Sequence, residues 1–250
     1  VHNILIITAN NFGNVGDDAI THAAVNILRT VFPAAIIHVD APSVERETIE
    51  AADLIVLGGG GIYYDARLEN AINYTNYMFF ATEAGIPHIG IGIGTQGIRS
   101  DIGKTLFKTA LNNSSLTVVR DPKDKSVLLD LGVLSSVIVT QDIVFSLPRM
   151  LSVSNEQKKC STKTIGIALL DSRNLLASKY MTSYQNAIYD CIGHLANSLQ
   201  CNIVYICQSL DDIELYRELK SKFGGEIRKI NYEDSKVAHK FYQDIDLCIT

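Results

Sequence analysis

The residues best placed to do chemistry come first in the chain. Asn11-Phe12-Gly13-Asn14-Val15-Gly16-Asp17-Asp18 combines two glycines, which permit a tight turn and close approach, with two adjacent carboxylates. Such a segment suits a polar, hydroxylated ligand. It is neither G-x-G-x-x-G nor a Walker loop, and carboxylates at a helix N-terminus occupy the positive dipole end that a phosphate would need. The alternative for Asp17 is simple capping of the helix that follows. Further on, Gly58-Gly59-Gly60-Gly61 follows an apolar run and precedes Asp65. Backbone N–H groups without side chains can form an anion-binding nest, or the glycines can serve only a turn that passes close to the first loop.

Gly90, Gly92, Gly94 and Gly97 punctuate the next apolar run, where alternate glycines imply close backbone packing, and Gln96 is a weaker contact candidate at its end. Arg120-Asp121 and Asp142 close the two runs after that. An Arg and two carboxylates are thereby expected along one sheet edge, either around a ligand or as a structural ion pair. In the C-terminal part, Asp171-Ser172-Arg173 and Gln208-Ser209-Leu210-Asp211-Asp212 leave successive apolar runs. Arg173 is suited to grip a carboxylate or phosphate through two parallel hydrogen bonds, while at least one of Asp211 and Asp212 is expected to cap a helix.

These segments need a scaffold, and the scaffold is legible in the apolar pattern. Ile4 to Thr8, Ile36 to Val39, Leu54 to Leu57, His88 to Ile93, Leu116 to Val119 and Val137 to Thr140 read as strands, apolar without alternation, as expected when both faces are buried. Between them, Ile20, Ala23, Ala24, Ile27, Leu28 and Val31 make one helical stripe, and Leu68, Ala71, Ile72, Thr75, Met78, Phe79 and Thr82 another that ends at Gly85. After Pro148, the stretch Ser152 to Lys163 is polar and aperiodic. The rhythm then resumes with strands at Thr164 to Leu169, Ile203 to Cys207, Ile227 to Ile230 and Ile245 to Ile249, and helices at Tyr184 to Leu199, Asp211 to Phe223 and Ser235 to Tyr242. The expectation is an α/β protein: a Rossmann-like domain over 1–150, a linker over 151–163 and a second Rossmann-like domain over 164–250, with parallel sheets facing a cleft. The last strand has no covering helix after it, so the second domain reads as truncated.

Composition excludes several partners. The 250 residues carry a net charge of −5, 47% hydrophobic and 20% charged residues, and no basic block, which leaves no electrostatic footprint for nucleic acid. The longest apolar runs fall far short of the roughly 20 residues a membrane span needs. No secretory signal is readable at Val1-His2-Asn3. The five cysteines form no C-x-x-C pair and the six histidines no metal spacing, so reduced thiols in a cytoplasmic setting and no metal are expected. Cys201 and Cys207 share one extended segment and stand roughly 20 Å apart, beyond disulfide reach.

Gly13 to Ile20, Gly58 to Gly61 with Asp65, Val119-Arg120-Asp121 followed by Ser126, and Val139-Thr140-Gln141-Asp142 together resemble the polysaccharide pyruvyl transferase family in order and spacing. Gln208 with Asp212 looks like that family's second-domain element, whereas Ile143 stands where an Asp-Pro is usual. The resemblance implies two facing Rossmann-like domains of the glycosyltransferase GT-B type. It implies phosphoenolpyruvate as donor, with no cofactor, and sugar hydroxyls of a glycan or lipid-linked acceptor, with peripheral membrane contact left open. The product would be a pyruvyl ketal on a cell-surface polysaccharide. Arg120 and Arg173 would hold anionic groups, the Gly58 to Gly61 run would support a substrate, and Asp17, Asp18, Asp65 and Asp142 would contact or orient sugar hydroxyls. The family's Arg-x-His motif follows a strand like Ile245 to Thr250, which puts its catalytic histidine beyond Thr250. Two alternatives stay open: a nucleotide-sugar glycosyltransferase with the same architecture, and a non-catalytic glycan-binding relative.

Overall fold

A computed structural model describes residues 2–9, 14–40, 45–147, 162–169, 178–229 and 245–250. Two compact units are distinguished, one formed by Val1–Phe12 and Gly16–Pro148, the other by Gly13–Val15 and Arg149–Thr250.

The first unit is built on a six-stranded, all-parallel sheet in the order β2-β1-β3-β4-β5-β6, comprising β1 (Asn3–Ile7), β2 (Ile36–Asp40), β3 (Leu54–Tyr64), β4 (His88–Gly97), β5 (Leu116–Val119) and β6 (Val137–Val139). The order reverses between β1 and β3, and it is outside the carboxyl ends of strands at such a switch point that open parallel sheets bind their ligands. Helix α1 (Val15–Val31) covers one face, burying Ile20, Ala23, Ala24 and Leu28 against Ile4, Ile6 and Val56. Helices α2 (Arg46–Glu50), α3 (Leu68–Glu83), α4 (Asp101–Asn112) and α5 (Pro122–Asp130) complete the unit. On the opposite face, Tyr63, Met78, Phe107 and Leu111 are fully enclosed in the larger core.

Several expectations are revised. Strands β3 and β4 do not stop at Leu57 and Ile93; pairing continues through Gly60↔Ile93, Tyr63↔Thr95 and Tyr64↔Gly97 with register shifts. The glycine run is thus the distal half of a strand rather than a loop after it. Strand β2 is mostly exposed, as a sheet edge with only β1 beside it. The buried stripe of α3 is Ala71, Tyr74, Thr75, Tyr77, Met78 and Ala81, so Ile72 and Thr82 lie outside it and two tyrosines belong to it.

The second unit has a four-stranded parallel sheet in the order β10-β7-β8-β9: β7 (Thr164–Ile167), β8 (Asn202–Cys207), β9 (Glu226–Lys229) and β10 (Leu247–Ile249). Helix α6 (Ser178–Gly193) continues as a π-helical turn, His194–Ser198, and helix α7 (Ile213–Phe223) follows a 3-10 turn at Leu210–Asp212. Ile167, Ile192, Tyr205, Tyr216 and Leu219 form its core. Most of the segment read as a linker, and the helix expected over Ser235 to Tyr242, lie outside the described residues.

Candidate functional site

The carboxyl ends of β3 to β6 and the start of α1 bring together most of the first unit's candidate residues. Arg120 follows β5 directly, its backbone N–H donating to the Ile93 carbonyl at 3.1 Å. Its guanidinium lies flat over β4: a Cβ on Gly94 would stand 2.8 Å from Arg120 Nε and 2.9 Å from Nη2. Glycine at 94 is therefore the condition for the arginine to lie there. Nη1 donates to Asp142 Oδ2 at 2.9 Å, and the other carboxylate oxygen, Oδ1, accepts the Val144 N–H at 3.1 Å. Asp142 is thus at once the cap of the 3-10 turn Ile143–Ser146 and the anchor of Arg120. The two side chains remain 32% and 28% exposed, so the guanidinium keeps donors that face water.

Asp17 lies in the first turn of α1, with Oδ1 3.4 Å from where a Gly60 Cβ would be. Burial raises its pKa, the neighbouring Asp18 raises it further, and the Arg120 charge lowers it. Asp17, Gly60, Arg120 and Asp142 hence belong to one polar neighbourhood at the sheet's carboxyl edge. Asp18 is buried, while Gly16 is exposed. The glycine run has definite spatial reasons. Gly59, at φ +51°, would carry a Cβ 2.1 Å from Ile20 Cγ2, so helix α1 rests on bare backbone there. Gly58 would meet Ile6 Cγ2 at 2.8 Å, and Gly61 the Gln96 amide nitrogen at 2.1 Å. Packing against α1, β1 and Gln96 gives each of these three positions a reason to be glycine.

Two more carboxylates are committed elsewhere. Asp65, expected to meet sugar hydroxyls, instead accepts the N–H groups of Arg99 (2.8 and 2.9 Å) and Ser100 (2.6 Å) and the Ser100 hydroxyl (2.7 Å). Burial pushes its pKa up, but these hydrogen bonds outweigh it and leave the group below the usual carboxylate range. Its work is to hold the turn that starts α4, whose cap is Ser100. Asp121 caps α5 by accepting the Lys123 N–H at 2.7 Å, and Arg120 pairs with Asp142 instead of its neighbour. Asp124, overlooked in the sequence, is buried and takes both the Thr95 N–H (2.8 Å) and hydroxyl (2.7 Å), tying α5 to the end of β4. Its only signal was a position in the first turn of a helix, which solvated aspartates share.

In the second unit, Asn14 forms an isolated antiparallel bridge with Ser209, and the Val15 N–H donates to the Gln208 carbonyl at 3.0 Å. The cap of the Leu210–Asp212 turn is the Ser209 hydroxyl, which accepts the Asp211 N–H, while Asp212 stands at the N-cap position of α7 without a side-chain capping hydrogen bond. Asp212 is buried and its charge helps raise the pKa values of Cys207 and Tyr216, each of which is raised first by burial. Arg173 lies outside the described residues. No group of His, Cys, Asp and Glu side chains suited to a metal occurs among the described residues. Cys191, Cys201, Cys207 and Cys248 are free thiols. No described helix is long and apolar enough to cross a membrane.

Comparison with solved structures finds S. aureus MnaA in a co-structure with UDP at 14% identity and TM-score 0.56, covering 99% of this chain and 74% of that one. Anabaena HepE in complex with UDP aligns at 11% identity and TM-score 0.50, over 99% of this chain and 73% of that one. At such identities the likeness is one of fold. No curated protein matches. The family model described as polysaccharide pyruvyl transferase matches residues 14–246, from the first turn of α1 and its preceding loop to the approach to β10, and the chain therefore belongs to the polysaccharide pyruvyl transferase family.

Proposed function

We propose that this chain transfers a pyruvyl group from phosphoenolpyruvate to two hydroxyls of one sugar, in a cell-surface polysaccharide or its precursor. Both new bonds are C–O bonds to the former enol carbon. Its bond to phosphate breaks, one hydroxyl proton goes to the methylene carbon, which becomes methyl, and the other leaves with phosphate. The product is a cyclic pyruvyl ketal. The observation that carries this reading is Arg120, laid over the bare backbone of Gly94, fixed by Asp142 and still partly open to water. A planar fork of donors in that state suits the carboxylate or the departing phosphate of a small anion.

Asp17, with its raised pKa, is placed to exchange a proton with, or orient, an acceptor hydroxyl next to that cation. Arg173 is assigned the second anionic group, and Gln208 and Asp212 a contact to a substrate. The reaction needs no cofactor, and its donor places it in the cytoplasm. The test is phosphate release from phosphoenolpyruvate with candidate glycan acceptors. Arg120→Ala should lower the rate about 100-fold, the loss typical of one transition-state donor, while the circular-dichroism spectrum stays unchanged. Equal rates for the two proteins would remove Arg120 from the site.

A nucleotide-sugar reading is favoured by one finding, that the MnaA and HepE structures were determined with UDP. It requires the crevice to accept a nucleoside diphosphate. A melting temperature raised by UDP and unmoved by phosphoenolpyruvate would decide for it.

A further inference from the structure

Three polar side chains in the heart of the first unit lack any protein hydrogen-bond partner: Tyr63 through its hydroxyl, His88 through Nε2 and Thr117 through Oγ1. They are 0%, 1% and 0% exposed. They also share one place. Gly90 and Thr117 are register partners on β4 and β5, and His88 precedes Gly90 by two residues, so all three positions face one side of the sheet. The Tyr63 hydroxyl reaches that side as well, since it lies 3.0 Å from where a Gly90 Cβ would stand. Helix α4 closes the space above. Phe107 packs on the Tyr63 ring with centroids 5.2 Å apart.

The bonding capacities of the three groups are unequal. In a neutral imidazole Nε2 is an acceptor in one tautomer and a donor in the other. Tyr63 and Thr117 each bring one donor and free acceptor capacity. One water molecule matches this set, since it can both donate and accept: it meets His88 Nε2 in either tautomer and the two hydroxyls, each of which also donates and accepts. The geometry points to a single-water binding site enclosed by Tyr63, His88 and Thr117 between the sheet and α4, linking β3, β4 and β5 beneath the strand ends that carry the glycines and Arg120. Buried waters of this kind make about three hydrogen bonds to groups that would otherwise be orphaned. The site is too enclosed for the substrate and is separate from the polar edge around Arg120.

A crystal structure of the unaltered chain at about 1.6 Å resolution or better tests the assignment. The expected result is a spherical density peak at hydrogen-bonding distance (about 2.7–3.2 Å) from His88 Nε2 and at least one of the two hydroxyls. A direct hydrogen bond from Tyr63 or Thr117 to His88, with no peak between them, overturns it. In solution, the enclosed water should give nuclear Overhauser contacts to the Thr117 methyl and Tyr63 ring protons. The same spectrum of Thr117→Val should show them weakened or lost; cross-peaks of unchanged intensity in that variant would count against the site.

Discussion

Burial and the adjacent Asp18 push the Asp17 carboxyl above its usual range, and the Arg120 cation draws it part of the way back. A carboxyl whose folded pKa exceeds its unfolded value, about 3.9, favours the native state most below that value. The benefit is lost as pH rises through the folded pKa, so at neutral pH Asp17 costs stability. Asp17→Asn should therefore raise urea stability by about 1 kcal/mol at pH 7, as substitutions that relieve functional strain do. The gain should fade below about pH 4. Pyruvyl transfer should fall at the same time, and a variant that lost both stability and activity would argue for a purely structural aspartate. Asp65 behaves in the opposite sense. Its lowered pKa contributes stability that is present above the unfolded value and disappears as pH falls through the folded one. Asp65→Ala, by orphaning the Arg99 and Ser100 donors, should cost about 2–3 kcal/mol near neutrality and flatten the acid limb of the unfolding curve. Both readouts come from urea titrations at stepped pH.

Between elements, the contact of α1 with β3 depends on an absence of side chain. Gly59→Ala combines a left-handed backbone with a Cβ driven against Ile20, and a loss of about 3 kcal/mol is expected. Gly85→Ala, at φ +69° with nothing within 4 Å, carries only the backbone penalty of about 1 kcal/mol. Comparable losses for the two, measured by denaturant unfolding, would show that α1 can shift away at little expense. This contact also explains why the sequence was read short at β3. Glycines at positive φ look like punctuation in an apolar run, yet the ladder passes through Gly60 to Tyr64 because the bends are absorbed as register shifts. The apolar runs of β1 and β5 carried no such interruption and were legible nearly residue for residue. Helices α4 and α5 have weak sequence signals because each buries only a narrow stripe, Gly103, Phe107, Ala110 and Leu111 in one and Leu128 with Asp124 in the other. At the site, Arg120 and Asp142 could be placed on one sheet edge from strand ends alone. That Arg120 would choose Asp142 over Asp121 depended on the twist and stagger of β5 and β6, which local sequence does not encode.

For the molecule as a whole, the proposed pyruvyl transfer and its nucleotide-sugar rival differ in the ligand they require, a small phosphorylated carboxylate in one and a nucleoside diphosphate in the other. Ligands that bind only the folded state raise its stability by mass action, about 2.7 kcal/mol at 100-fold over Kd. Phosphoenolpyruvate should accordingly raise the melting temperature in a dose-dependent way, and Arg120→Ala should abolish that shift while leaving the ligand-free melting point within a few degrees. A shift that survives the substitution would locate the anion elsewhere.

Strand β4 has a consequence that reaches beyond the proposed reaction. Gly90 leaves room for a hydroxyl, Gly92 for the Ile143 side chain that seats the turn after Asp142, and Gly94 for a guanidinium. Each methyl group added along this strand would evict a different tenant. A saturation mutagenesis scan should therefore score these buried glycines as intolerant as any reacting group, although no side chain there could ever touch a substrate.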